Sequence, residues 1–217
     1  MVQQSLVSIG SFFVTSYVNY FGPAAIAAFG VSSRIDMVAT MPAIAIGMAA
    51  TALTGQNLGA QKPERIKEIF KWALVLGTTL SGVVAIFAFV FPRLILSVFI
   101  HHEPVLAIGV EYLHIVAPCY FLFALMFVSA GVVNGAGQTL VPMLFTLISL
   151  WVVRVPFAWF LSQHTPLATK GIWIAMAAGF AVTAVVGYLY YVYGGWRKTA
   201  AKIQMPTEKP IEAILEA

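Results

Sequence analysis

YLHIVAPCYFLFALMFVSAGVVNGAGQTLVPMLFTLISLWVV, running from Tyr112 to Val153, holds 42 residues without one Asp, Glu, Lys or Arg. As a single helix at about 1.5 Å per residue it would reach roughly 63 Å, twice the ~30 Å hydrocarbon thickness of a bilayer. The run must therefore fold back. Its only polar interruption is Asn134-Gly135-Ala136-Gly137-Gln138-Thr139, followed by Pro142. Gly and Asn accept positive φ, and Pro suits the first turn of a helix, so the break is placed there. The stretch reads as two membrane-spanning helices joined in a hairpin.

Composition extends that reading to the whole chain. Hydrophobic residues make up 60% of it and charged residues 9%, against about 25% charged in a soluble domain. A soluble chain of this kind would leave more apolar surface than it could bury, whereas the outer face of a helix bundle in lipid can stay apolar. The expected fold class is an all-α integral membrane protein. Cys119 is the single cysteine, which excludes an internal disulfide framework. The basic residues fall between apolar runs and form no patch with aromatics, so a nucleic-acid partner is not expected.

Six spans are predicted, at about 4–21, 24–53, 72–91, 105–133, 139–161 and 171–193. Gly22-Pro23 separates the first two. Thr54 to Pro63 reads as a turn-rich polar link containing Gln56, Asn57 and Gly59, and Glu64 to Lys71 as a charged turn. Pro92 to Ile100 reads as a short amphipathic segment at the interface, and Ser162 to Lys170 as a loop. Tyr188, Tyr190, Tyr191, Tyr193 and Trp196 form a predicted aromatic belt at headgroup level. Residues 198–217 form a polar tail. No cleavable signal peptide is evident, since the first basic residue is Arg34.

Lys62, Arg65, Lys67 and Lys71 lie between spans two and three, and Arg197, Lys198, Lys202 and Lys209 follow span six. Both groups are expected on the cytoplasmic side. Four spans separate them, and an even number returns the chain to the same side. Both termini are then cytoplasmic.

Polar groups inside the spans are the candidate pathway residues. Ser8, Ser11, Thr15 and Asn19 recur at helical spacing in span one, and Ser32, Asp36, Thr40, Gly47, Thr51 and Thr54 form a stripe in span two. Such faces either line a watery pathway or serve as helix contacts. Asp36 is the more demanding residue, because a carboxylate in a span costs about 2.5–3.5 kcal/mol unless it meets protein or water; its alternative position is the interface near the outer end of span two. Arg34 is two residues away and diverges from it on a helix. Arg154, beside Pro156, either enters the pathway or extends its long side chain toward the headgroups. Pro42, Pro118 and Pro156 each remove a backbone hydrogen bond inside an apolar run and are hinge candidates, although static membrane helices also carry Pro. Glu111 and His114, three apart, are a candidate proton relay. His101-His102-Glu103 lacks convergent metal-ligand spacing, and no metal site is expected. No phosphate loop, His-Glu-x-x-His or nucleophile with a placed base is present, so neither an enzyme nor a self-contained ATP-driven pump is expected.

Several motifs together resemble the multidrug and toxic compound extrusion (MATE) family. They are Ala27 to Asp36, Met41-Pro42, Gly55-Gln56-Asn57-Leu58-Gly59-Ala60 with Lys62 to Arg65, Tyr112-Leu113, Ala117-Pro118, Asn134 to Thr139 with Pro142, and Arg154-Val155-Pro156. The resemblance covers about residues 1–200. It implies a twelve-helix transporter of two pseudo-symmetric lobes, of which this chain matches the C-terminal six-helix lobe. A fragment, a truncated reading frame and one subunit of a split carrier are all compatible with that match. The implied activity is secondary active export from the bacterial inner membrane of cationic or amphipathic small molecules, xenobiotics among them. Inward Na⁺ or H⁺ drives it, with two lobes rocking about a central cavity. The partners implied are the lipid bilayer and a missing N-terminal lobe or second copy; no other cofactor is implied. A lipid-linked saccharide flippase of the same superfamily and a non-transporting remnant or accessory subunit are the alternatives. The family usually carries a major coupling carboxylate in its first lobe, which would leave Asp36 in an assisting role.

The topology is testable by labelling. In a Cys119→Ser background, single cysteines at Lys67 and Lys202 are expected to react only from the cytoplasm and one at His102 only from outside. Opposite accessibility for Lys67 and Lys202 would break the six-span count.

Overall fold

In hydrocarbon every backbone N–H must find a partner within its own segment or bundle, and helices meet that demand locally. Residues 2–197, described by this computed structural model, obey it almost throughout. The helices are α1 (Val2–Asn19), α2 (Pro23–Gly59), α3 (Arg65–Val90), the short α4 (Pro92–Ser97), α5 (Glu103–Val116), α6 (Tyr120–Gly135), α7 (Leu140–Ile148), α8 (Val155–Gln163) and α9 (Thr169–Tyr193). One 3₁₀ turn, Ala117–Cys119, joins α5 to α6, and one π-helical segment, Ser149–Arg154, joins α7 to α8. Among the described residues, five runs are long and apolar enough to cross a membrane: α2, α3, α5–α6, α7–α8 and α9. α1 packs beside α2 and α8. The polar tail, 198–217, with Lys198, Lys202 and Lys209, lies outside the described residues.

Two boundaries differ from the sequence expectation. The Gly55-Gln56-Asn57-Leu58-Gly59 stretch is not a turn but the end of α2, which runs unbroken for 37 residues. Gln56 is compatible with helix, and Asn57 donates its side-chain N–H to the carbonyl of Leu53, 2.8 Å away. The chain leaves the helix at Gln61, with φ 58°. There Lys62 N–H reaches the Asn57 carbonyl at 2.8 Å and Gln61 N–H the Leu58 carbonyl at 3.0 Å, the paired bonds of a Schellman ending. Similarly, Glu64 to Lys71 is not a turn throughout, since α3 begins at Arg65.

α6 ends in the same way. Gly137 has φ 83°, its N–H bonds the Asn134 carbonyl at 2.9 Å, and Gln138 N–H bonds the Val133 carbonyl at 3.2 Å. Of the residues expected to make this break, only Gly137 takes positive φ. Asn134 and Gly135 remain helical.

Gly135 has a different task. α2 and α6 run in the same direction and are the most extensively paired helices. A Cβ on Gly47 would stand 2.8 Å from the Phe127 carbonyl oxygen, one on Gly131 would strike the Gly47 carbonyl oxygen, and one on Gly135 would stand 2.7 Å from Thr54 Cβ. Gly131 and Gly135 thus form a small-xxx-small face that admits a neighbouring backbone, the usual source of close packing where no hydrophobic effect drives helices together.

Two buried clusters flank this seam. One gathers Tyr112, Tyr120, Phe123 and Trp173 with Ala28, Ala39 and Ala43 of α2. The other gathers Leu58, Ile66, Phe70, Val132, Tyr191 and Trp196 where α2, α3, α6 and α9 meet. The predicted aromatic belt is therefore divided. Tyr191 stacks on Phe70 at 3.8 Å and Trp196 donates its indole N–H to the Tyr191 carbonyl at 2.8 Å, so both are core residues, while Tyr193 is 83% exposed.

Gly131→Ala and Gly135→Ala are expected to destabilise the fold by about 1–3 kcal/mol through overpacking. Gly59→Ala, where a Cβ meets nothing within 4 Å, is expected to be neutral or to stabilise by up to ~1 kcal/mol. Thermal unfolding in detergent reads both. A Gly131→Ala protein unfolding like wild type would show that the seam does not set the helix spacing.

Candidate functional site

Asp36 lies on the seam, on the face of α2 that meets the α5–α6 span. Its carboxylate accepts one hydrogen bond from the Tyr112 hydroxyl and a second from the Tyr120 hydroxyl, the latter 2.5 Å long. Both tyrosines are fully buried. The 3₁₀ turn at Ala117–Cys119 separates them along the span, and Pro118 in that turn accounts for the local tightening because it has no N–H to return to the preceding turn. Each carboxylate oxygen thus has a donor, the arrangement a charge away from water requires.

Aromatic packing fixes the donors. Trp173 lies edge-on to Tyr112 at 4.8 Å and stacks on Phe29 at 5.6 Å. Tyr120 stacks on Phe123 at 5.3 Å, and Phe123 meets Phe180 edge-on at 4.9 Å. Phe180 in turn presents its face to the Arg154 guanidinium, with Cζ 4.3 Å from the ring centroid.

Arg154 closes the π-helical segment. Pro156, two residues on, has no N–H to offer Val152, and its ring would press on that carbonyl in a regular helix; the wider π turn relieves the contact. Across the way Ser149 donates to the Gly179 carbonyl at 2.6 Å, and a Cβ on Gly179 would stand 3.3 Å from Arg154 Nε. Gly179 therefore makes room for the guanidinium. Arg154 lies within electrostatic range of Asp36 and Tyr112, but among the described residues it forms no ion pair within 4.0 Å.

Beside Arg154 opens a cavity of about 480 Å³ between α1, α2, α6, α7, the π-helical segment and α9. Met126, Phe127, Met143, Phe145 and Phe180 supply much of its apolar wall. Asn134 and Thr139 lie on its lining, and Ser129 contributes a buried hydroxyl with no hydrogen-bond partner.

The other sequence candidates are placed as follows. Thr40 gives its hydroxyl to the Asp36 backbone carbonyl at 2.5 Å and so closes on its own helix. Asn19 ends α1 with an exposed side chain, and Ser8 and Ser11 on the same helix are exposed. Pro42 lies inside an uninterrupted α2. Gln138 accepts a 2.5 Å hydrogen bond from the Tyr190 hydroxyl and so ties the α6–α7 turn to α9. Gln56, Asn57 and Gly59 are helical, as described above. The Glu111–His114 relay is not assembled: Glu111 pairs with Lys170 at 3.4 Å, and His114 lies edge-on to Phe89 at 5.4 Å. Glu103 pairs with Arg93 at 3.1 Å. Sequence reasoning missed Tyr112, Tyr120, Ser129 and Phe180. Two tyrosines in an otherwise apolar span were a usable signal, because a buried phenol normally needs a hydrogen-bond partner.

Residues 1–160 match the MatE family profile. The probable multidrug resistance protein YoeA of Bacillus subtilis is 32% identical over 197 residues, which cover 91% of this chain and 42% of that protein. The probable multidrug resistance protein YpnP of the same organism is 31% identical over 90% of this chain and 44% of its own length. Among solved structures, a crystal structure of MATE in the bent conformation superposes with a TM-score of 0.84 at 23% identity, over 92% of this chain and 44% of the other. The inward-facing conformation of a multidrug resistance MATE family transporter of the MOP superfamily gives 0.81. The chain belongs to the MatE family. It spans less than half the length of these curated relatives, which fits the extent of one lobe.

Tyr112→Phe and Tyr120→Phe each remove one donor from a carboxylate oxygen and are expected to cost about 1–3 kcal/mol of stability. In an Asp36→Asn background the same substitutions should cost clearly less. Equal costs in both backgrounds, read by thermal unfolding in a double-mutant cycle, would show that the hydroxyls act independently of Asp36.

Proposed function

We propose that this chain acts as one lobe of a secondary active multidrug exporter of the bacterial inner membrane. A second lobe, either an N-terminal lobe or another copy, completes it. Inward flow of Na⁺ or H⁺ drives outward movement of amphipathic small molecules by alternating access of the paired lobes. All six helical runs span the membrane in this reading, with both termini cytoplasmic. α1, at 18 residues or about 27 Å, needs only modest local thinning to do so.

One observation carries the proposal: a carboxylate, Asp36, held by two buried phenols where α2 meets the α5–α6 span. A structural role alone is met more cheaply by an uncharged residue, and an ionisable group inside a membrane bundle marks an ion or proton path by default. The two hydroxyls can steady the carboxylate and yield to an arriving cation. Arg154 supplies a fixed positive charge nearby, so a change at Asp36 alters the field in the adjoining cavity.

Expressed alone in an efflux-deficient bacterium, the chain is expected to give no gradient-dependent efflux, and co-expression with a first lobe of the family to restore it. In that assembly Asp36→Asn should lower transport per inserted molecule by about tenfold, the scale of a typical coupling free energy, with protein level unchanged. Superimposable rates for wild type and Asp36→Asn across pH would remove Asp36 from coupling.

A further inference from the structure

Among the described residues, the cavity beside Arg154 has one charge in its lining, and that charge is positive. Asp36, the nearest carboxylate named above, is not on the lining, and both its oxygens already accept from Tyr112 and Tyr120. A guanidinium keeps its proton under any accessible condition and presents five N–H donors in a planar fork. Here its contact is the Phe180 ring, whose face satisfies charge but accepts few of those hydrogen bonds. Donor capacity is therefore left pointing at a cavity whose walls are largely apolar.

A second observation points the same way. Ser129 Oγ is fully buried, lines the cavity and has no partner. A buried hydroxyl of this kind is normally satisfied by water or ligand. Thr146 and Thr183, also on the lining, spend their hydroxyl protons on the carbonyls of Pro142 and Gly179, at 2.9 Å each. Among the described lining residues Arg154 is thus the charged donor, with Ser129, Asn134 and Thr139 as uncharged ones, and much of the remaining wall offers aromatic rings and thioethers that adapt to a flat apolar body.

We propose that this cavity binds an amphipathic anion, with its carboxylate or comparable acidic group at Arg154 and its apolar body between Phe127, Met126, Met143 and Phe145. A volume of about 480 Å³ suits a drug-sized molecule. A cation would meet the guanidinium without a carboxylate in the lining to offset it. This substrate class rests on the transport reading only for turnover; the binding site stands on the cavity itself.

The test uses the full chain in nanodiscs of uncharged phosphatidylcholine and three ligands sharing one fluorophore: dansylglycine, its methyl ester and the cationic dansylcadaverine. Dansylglycine should bind about tenfold more tightly than the ester, the scale of one charge-assisted hydrogen-bonded pair, and dansylcadaverine more weakly still. Arg154→Gln should abolish the preference, Arg154→Lys should keep part of it, and Ser129→Ala should weaken dansylglycine severalfold. Equal or tighter binding of the ester or the cation to the wild-type chain overturns the proposal without recourse to any variant, as does a preference that survives Arg154→Gln. Enriching the nanodisc in phosphatidylglycerol separates two sources of the acidic group. Displacement of dansylglycine assigns the occupant to a lipid, and its retention to a free amphiphile. Because no gradient is present, failure here leaves Asp36-dependent efflux standing, and failure of efflux leaves the binding preference standing.

Discussion

The close approach of α2 and α6 is the constraint on which the rest of this lobe depends. Gly47, Gly131 and Gly135 bring backbone against backbone, and the distance they set decides what fits along the rest of the seam. Toward its other end the same face of α2 carries Asp36, and the span that includes α6 carries Tyr112 and Tyr120. A wider seam would separate the carboxylate from its two donors. The charge would then have to find water or neutralise, either of which would loosen the aromatic frame of Trp173, Phe29, Phe123 and Phe180 around it.

Irregular helix flanks the site on both sides. The 3₁₀ turn at Ala117–Cys119 lies between the two tyrosines, and the π-helical segment Ser149–Arg154 ends on the arginine. Each is linked to a proline that withholds a backbone N–H. Such irregularity is tolerated at membrane depth where the freed groups are buried in protein or face a cavity. It also re-aims side chains that a regular helix would direct elsewhere. Pro42 behaves differently, since α2 passes through it without a break; the close packing of α2 on α6 and α3 holds that helix together.

Much of this was legible in the residues. The charge-free run, its break and the remaining apolar runs follow from bilayer thickness and backbone chemistry, which act on every membrane chain alike. The motifs that mark the MatE family were legible too. Two helix ends were misplaced, at Gly59 and at Arg65, because Gln, Asn and charged residues are polar without being helix breakers. Gly135 was read as a turn residue although it is a contact residue; sequence spacing is silent on which neighbour a glycine faces.

Asp36 and Arg154 were identifiable as costly charges in apolar surroundings, and hydrocarbon makes that inference strong. Their partners were not identifiable. Tyr112 and Tyr120 stand 76 and 84 residues from Asp36, and a cavity needs walls from at least five segments at once. The sequence by itself determined that the chain crosses a membrane as helices and which ionisable groups it carries into the apolar interior, because those consequences depend on local composition and length. Only the tertiary structure decided that the carboxylate is held by two phenols while the guanidinium faces an apolar cavity, because that assignment depends on how closely distant helices approach.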